Sequence, residues 1–281
     1  MIYLFLSILT SGLIFIIFKG FSKYEIDNAQ AIITNYVVAF SLGLISSDKG
    51  LSNVLGSDWI WVVLMIGVLF ISLFILMAQV SQTQGVTIAT VAVKMSVAIP
   101  VLLGFTVFKD EVTVVKLIAI FLSLIAILLV TTKPDEKFNI ALLTLPLILF
   151  FGNGSLDAIL KFAQAKFVPA EEIELFTSLC FGCAALYGFL LYPLRKNKPS
   201  FELKNILAGI VLGIPNFGSI YFLLKALEIT GLESSVFFPI NNIGIVLTST
   251  LLALLIFKEK LALRNWVGIA VGVLSIILIS R

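Results

Sequence analysis

Few residues in this chain are placed to do chemistry, and most of those lie inside apolar runs. Lys94 falls in Thr90-Val91-Ala92-Val93-Lys94-Met95, eight residues into a predicted helix over 86–108. That is about 12 Å along an axis that must cross about 30 Å of hydrocarbon, too deep for easy snorkelling. An ionisable side chain there costs at least ~2.5 kcal/mol, so one that persists is a functional candidate by default. Lys94 would either contact an anionic or carboxylate substrate or donate to carbonyls and polar groups of neighbouring helices. Asp157 and Lys161 stand four apart on a predicted helix over 139–163. That spacing puts them on one face, within ion-pairing reach. They read either as an interfacial salt bridge or, for Asp157, as the carboxylate through which proton coupling would run.

Neutral polar residues add a second set. Asn153 sits between Gly152 and Gly154, Asn241 and Asn242 follow Pro239, and Asn216 follows Pro215. A proline inside a membrane helix frees backbone carbonyls, which then need a polar cavity or a locally satisfied kink. Both readings stand for these asparagines.

The absences restrict the chemistry. There is no histidine, which removes imidazole metal sites, histidine-activated nucleophiles and histidine proton relays together. Cys180 and Cys183 form a C-x-x-C in an apolar stretch without charges to activate a thiolate, and read as two small helix residues. No glycine-rich loop of the G-x-x-x-x-G-K-[ST] kind is present, so ATP hydrolysis is unsupported and no cofactor or metal is expected. A net charge of +3, dispersed along the loops, gives no footprint for nucleic acid.

The elements that must position these residues are membrane helices. The 281 residues are 60% apolar and 12% charged with a mean hydropathy of +1.13. Soluble domains are roughly half apolar and a quarter charged, so this chain needs lipid around it. The apolar segment from Met1 to Phe18 has no basic residue before it and reads as a retained first helix rather than a secretion signal. Predicted spans cover 2–19, 29–47, 58–80, 86–108, 113–132, 139–163, 172–194, 205–227, 232–257 and 261–280, separated by breakers such as Lys133-Pro134-Asp135-Glu136-Lys137. Trp59, Trp61 and Trp266 fall near helix ends, as interfacial anchors do.

The chain also matches itself. Phe108-Lys109-Asp110-Glu111-Val112-Thr113 aligns with Phe257-Lys258-Glu259-Lys260-Leu261-Ala262, each followed by one long apolar helix. Gly12 with Lys19 aligns with Gly154 with Lys161, which puts Asn153 opposite Ser11, and Asn241 and Asn242 fall close to the counterpart of Lys94. The fold class expected is therefore all-α integral membrane, ten transmembrane helices in two five-helix repeats, residues 1–137 and 138–281. An odd number of spans returns the second copy from the opposite side, so the repeats are inverted, with a site near the midplane between them.

Two five-helix halves, each with an acid just before its last helix, resemble the drug/metabolite transporter superfamily, specifically its EamA-like members. The residues that carry the likeness are Phe257-Lys258-Glu259-Lys260-Leu261 followed by Gly268 and Gly272, and the weaker first copy at 108–113. The resemblance covers essentially the whole chain. It implies a basket of ten helices around a central cavity, with the fifth and tenth helices peripheral, and transport of amino acids, drugs, sugars or nucleotide-linked metabolites. Small four-helix relatives that expel cationic drugs carry a glutamate in their first helix, and Met1 to Phe18 contains no acid.

Three functional readings remain. The leading one is a secondary transporter exporting small metabolites such as amino acids across the cell (inner) membrane, using Lys94, Asp157, Lys161, Asn153, Asn216, Asn241 and Asn242. The others are a non-transporting scaffold or lipid-flipping subunit, and a lipid-modifying enzyme, for which clustered carboxylates, histidines or metal ligands are missing. Besides substrate and bilayer, a second copy is the possible partner, since Gly268 and Gly272 form a small-xxx-small stripe suited to helix packing or a dimer contact. Glu259 and Asp110 read as acids offsetting the dipole of each half's last helix. Gln79, Ser81, Gln82 and Gln84, like Lys225, Glu228 and Glu233, read as solvated turn residues. Eleven basic side chains fall on one side and seven on the other, which puts both termini outside, whereas the family likeness puts them in the cytoplasm.

Overall fold

Backbone groups have no water to bond in hydrocarbon, so a chain this apolar satisfies them within helices. The computed structural model describes residues 1–47, 54, 57–103, 105, 113–132, 140–195, 199–230 and 234–280, and apart from short 3₁₀ turns their regular structure is α-helical. The helices are α1 (Ile2–Lys23), α2 (Asn28–Ser46), α3 (Ile60–Thr83), α4 (Val86–Met95), α5 (Ala98–Leu103), α6 (Val114–Thr131), α7 (Ile140–Lys166), α8 (Ile173–Leu191), α9 (Leu203–Thr230), α10 (Ser234–Phe257) and α11 (Leu263–Ile279). Eight segments are long and apolar enough to cross a membrane. With α4 and α5 taken together, and with the shorter α11, the described residues form ten apolar helical segments.

Three expectations about helix continuity change. The fourth span is broken at Ser96-Val97, because Pro100 has no N–H to offer the Ser96 carbonyl one turn back and its ring crowds that carbonyl. The Ser96 oxygen instead accepts from the Ile99 N–H at 2.9 Å. Conversely, Pro215 and Pro239 do not interrupt their helices, since α9 and α10 run straight through them, as α7 does through Pro146.

Helix ends carry conventional caps. The Asp27 carboxylate accepts from the N–H groups of Ala29 and Gln30 at the start of α2, and the Thr113 hydroxyl accepts from Lys116 N–H at the start of α6. The first-copy motif at 108–112 and the breaker at 133–137 lie outside the described residues.

Glycines set how closely the helices approach. Gly43 of α2 sits against Ser178 of α8 while Gly188 of α8 sits against Ile33 of α2, so α2 and α8 are antiparallel. Gly268 and Gly272 of α11 lie against Val130 and Ala126 of α6, also antiparallel, which places this small-residue stripe inside the molecule. Gly209 and Gly213 of α9 pack on Ala31, Thr34, Asn35 and Val38 of α2 in parallel. Gly67 of α3 packs on Cys183 of α8, and Gly188 on Ile71, again parallel.

Two main buried apolar clusters result. The larger draws mainly on α1, α2, α3, α7 and α8, with Leu212 of α9 and one face each of α4 and α10. The smaller contains Val91, Met95 and Ala98, Ala126, Ile127 and Val130 of α6, Phe150 of α7, Val246 of α10, and Ile269 and Ile276 of α11. Trp59 is not an interfacial anchor: it is 1% exposed, donates to Glu172 Oε2 at 2.8 Å and meets Phe176 edge to face. Trp61 and Trp266 are exposed, as expected of anchors.

Candidate functional site

The break after α4 turns Ser96 toward α7. Its hydroxyl donates to the Val93 carbonyl at 2.6 Å and accepts from Asn153 Nδ2 at 3.0 Å. The same amide nitrogen donates to Asp157 Oδ2, one turn along α7, at 3.2 Å. Lys94, two residues before Ser96, lies within electrostatic reach of Asp157. Lys94, Ser96, Asn153 and Asp157 thus form one cluster where the broken helix crosses α7. Gly154 permits the crossing, since any side chain there would run into Ile99 and the Ser96 carbonyl.

A second polar crossing joins α1, α9 and α10. The Ser7 hydroxyl, fully buried, donates to Asn241 Oδ1 at 3.1 Å and reaches the Ser219 carbonyl at 3.3 Å. The Ser219 hydroxyl donates to the Asn216 carbonyl at 2.8 Å, one turn back on α9. The Asn216 amide nitrogen is buried and finds no hydrogen-bond partner among the described residues, so it is a donor left over beside this crossing. Gly12 seats against Ser249 and Gly244 against Ile8, bringing α1 and α10 together in parallel.

The structure therefore sorts the seven candidates. Lys94, Asn153 and Asp157 meet at one crossing, and Asn216 and Asn241 flank the other. Asn242 is half-buried beside Asn241, and Lys161, one turn beyond Asp157, is exposed. Ser96 and Ser7 are not conspicuous in the sequence, because a lone serine in an apolar run looks like a small packing residue. Only Pro100, four residues after Ser96, marked the break.

Several polar residues have structural duties. Glu259 does not serve α11; its carboxylate accepts from Val86 N–H at 2.8 Å and Thr87 Oγ1 at 3.2 Å, capping α4. Gly85, with φ of +118°, makes the turn that leads into that cap. Asn265 caps α11 instead, accepting from Ala262 N–H and donating to the Val130 carbonyl. Gln82 is not a solvated turn residue: it exchanges hydrogen bonds with Asn28 and donates to the Phe18 carbonyl, while Lys19 donates to the Gln82 carbonyl. Gln30, fully buried, donates to Tyr192 Oη and the Ser200 carbonyl and accepts from Glu202 N–H and Asn205 Nδ2. Beside it Arg195 pairs with Asp27 at 2.9 Å.

Comparison with known proteins adds three findings. Residues 140–281 match the sequence model of the EamA-like transporter family. A protein of Haemophilus influenzae, itself described only as uncharacterized, is 30% identical over 275 residues, covering 95% of this chain and 93% of that one. A crystal structure superposes with a TM-score of 0.62 over 97% of both chains at 12% identity, a likeness of fold alone.

Proposed function

We propose a transport function from one premise: the chain belongs to the EamA-like transporter family, part of the drug/metabolite transporter superfamily. It is a multi-pass membrane protein. In our reading it is a secondary transporter in the cell (inner) membrane that exports small metabolites such as amino acids by alternating access. Its site is the crossing of α4 and α7.

The observation that carries this reading is the cluster of Lys94, Ser96, Asn153 and Asp157. Hydrocarbon penalises each charge, yet a cation and an acid lie within electrostatic reach of each other there, beside a helix break. Lys94 offers a charged donor to a carboxylate. Asp157, held by the Asn153 amide, offers an acceptor to an ammonium or hydroxyl group. A small molecule carrying both functions matches the two together, and Asp157 is also the carboxylate through which a proton gradient would act.

The inverted repeat, with halves 1–137 and 138–281, draws support from paired contacts. Asn153 follows Ser7 by 146 positions, one helical turn from the register that pairs it with Ser11, and Asn241 follows Ser96 by 145. The Ser7–Asn241 and Asn153–Ser96 hydrogen bonds are thus counterparts with donor and acceptor residues exchanged. The counterpart positions Trp59 and Asn205, and Asp27 and Glu172, are likewise paired, with Trp59 Nε1 donating to Glu172 and the Asp27 backbone N–H donating to Asn205 Oδ1. Counterpart helices α2 and α8 run antiparallel, as do α6 and α11, which is what inversion requires.

Reconstitution in liposomes with an inward or outward proton gradient and a panel of radiolabelled amino acids tests the function. Gradient-dependent flux of at least one member is expected, lost in the triple variant Lys94→Ala, Asp157→Asn, Asn241→Ala. Flux that survives the triple variant would sink the site, and no flux of any member in either direction would favour a scaffold.

A further inference from the structure

The turn between α10 and α11 gathers three cations around one acid that is already engaged. Glu259 is turned inward, its carboxylate accepting from Val86 N–H and Thr87 Oγ1 at the start of α4. Lys258 and Lys260 on either side of it, and Arg264 in the first turn of α11, are exposed. None of the three makes an ion pair among the described residues. Three positive charges against one negative leave a net +2 over 258–264. Asn265, donating to the Val130 carbonyl, sets this turn beside the end of α6. The link after α6, residues 133–139, holds two lysines and two acids, so its own charge is zero.

The backbone is strained at the head of this turn. Lys258 has φ of +52°, one of two non-glycine residues in the left-handed region among the described residues. Crowding by Cβ disfavours that conformation for lysine, whereas glycine and asparagine adopt it readily. A cation therefore stands where a strain-free turn would carry another residue. Membrane-facing surface begins directly beside it. Leu251 and Leu255, one turn apart on α10, are exposed, as are Leu263 and Val267, one turn apart on α11. Trp266 is exposed as well, at the headgroup level that interfacial tryptophans occupy. Arg264 lies two residues from it, about 3 Å along the helix axis. The cations thus stand at the height of lipid phosphates, with apolar stripes leading from them into the bilayer.

We propose that the α10–α11 turn binds the headgroup of an anionic phospholipid through Lys258, Lys260 and Arg264. The planar guanidinium of Arg264 matches two phosphate oxygens at once, and the two lysines add point charges beside it. The acyl chains of the same lipid lie along the exposed leucines of α10 and α11. A zwitterionic lipid brings its own cation to these three charges, so the turn selects for lipid charge and not for lipid contact alone. The site is separate from the α4–α7 crossing, and its test needs no transported substrate.

Trp266 reports on the lipid beside it, because brominated acyl chains quench tryptophan on contact. In the background Trp61→Phe, the remaining tryptophans are Trp266 and the buried Trp59. This protein is reconstituted in bilayers in which dibrominated phosphatidylglycerol or dibrominated phosphatidylcholine replaces its unbrominated form. Phosphatidylglycerol should associate at least about five-fold more strongly than phosphatidylcholine, the factor that one cation near the surface supplies. Lys260→Gln with Arg264→Gln should bring that ratio to within two-fold of unity. Lys23→Gln with Lys204→Gln removes two exposed charges at the same end of the bundle, to which the Gln82–Asn28 and Asp27–Asn205 bonds connect the start of α4. That pair should leave the ratio within two-fold of its parent. Lys258→Asn should lower the ratio at least two-fold and yet raise the melting temperature in lipid-free micelles, since asparagine accepts the left-handed backbone. No preference for phosphatidylglycerol in the parent, an equal loss in the two double variants, or an unchanged ratio in Lys258→Asn would each overturn the proposal.

Discussion

Asn153 on α7 donates its amide N–H to the Ser96 hydroxyl on the far side of a helix break, at 3.0 Å, and to Asp157 on its own helix at 3.2 Å. One amide therefore holds both the end of α4, which bears Lys94, and the carboxylate of Asp157.

Removing that amide should loosen both neighbours. Interhelical hydrogen bonds in bilayers are worth ~0.6 kcal/mol on average and ~1.7 at most. Asn153→Ala and Ser96→Ala are each expected to lower stability by about 1 kcal/mol. The double variant should cost less than the sum, because both remove the same bond. Thermal unfolding in detergent micelles, arranged as a double-mutant cycle, checks this; strict additivity would mean that the bond contributes nothing.

Glu259 offers a second test. A carboxylate on the N-terminus of α4 satisfies an orphan N–H and interacts favourably with the helix dipole. Glu259→Ala should cost about 1 kcal/mol and Glu259→Gln less, whereas Lys260→Ala on the neighbouring exposed position should be neutral. Equal behaviour of all three in a melting series would return Glu259 to the role of a surface acid.

Gln30 is a buried hub whose loss strands several groups at once. Gln30→Ala leaves Asn205 Nδ2 and the Glu202 N–H without their partner, while Tyr192 Oη keeps its bond to the Pro199 carbonyl. At ~1–3 kcal/mol for each buried polar group that stays unpaired, a loss of at least about 2 kcal/mol is expected. Faster hydrogen exchange across 199–205 would localise the effect.

Glycines that look alike in the sequence should respond with opposite signs. A Cβ on Gly213 would collide with the Asn35 carbonyl and Val38, so Gly213→Ala should destabilise by roughly 1–3 kcal/mol. A Cβ on Gly20 of α1 meets nothing within 4 Å, so Gly20→Ala should be neutral or stabilise by up to ~1 kcal/mol. Melting temperatures of the two variants decide it.

Five spans separate Asp58 from Lys204, both exposed. Cysteines at these positions (Asp58→Cys, Lys204→Cys) should react with an impermeant maleimide from opposite faces of the membrane. Labelling of both from one face would remove the basis for the inverted repeat.

Much of this was legible without coordinates. Hydropathy alone fixes a membrane bundle, since a chain so apolar can satisfy its backbone only in helices, and the depth of Lys94 and Asp157 marks them because charge is costly there. Tertiary structure alone decided which polar residues meet. Asp157 and Lys161 stand one helical turn apart, and local spacing is all that a linear sequence displays. Across space Asp157 also lies within electrostatic reach of Lys94, on another helix 63 positions earlier. Glu259 likewise caps a helix far from its own place in the chain, and Ser7 finds Asn241. Hydrophobic patterning says that a face is buried but not what lies against it. That depends on how closely glycines let helices approach, a property of pairs of helices that no single segment contains.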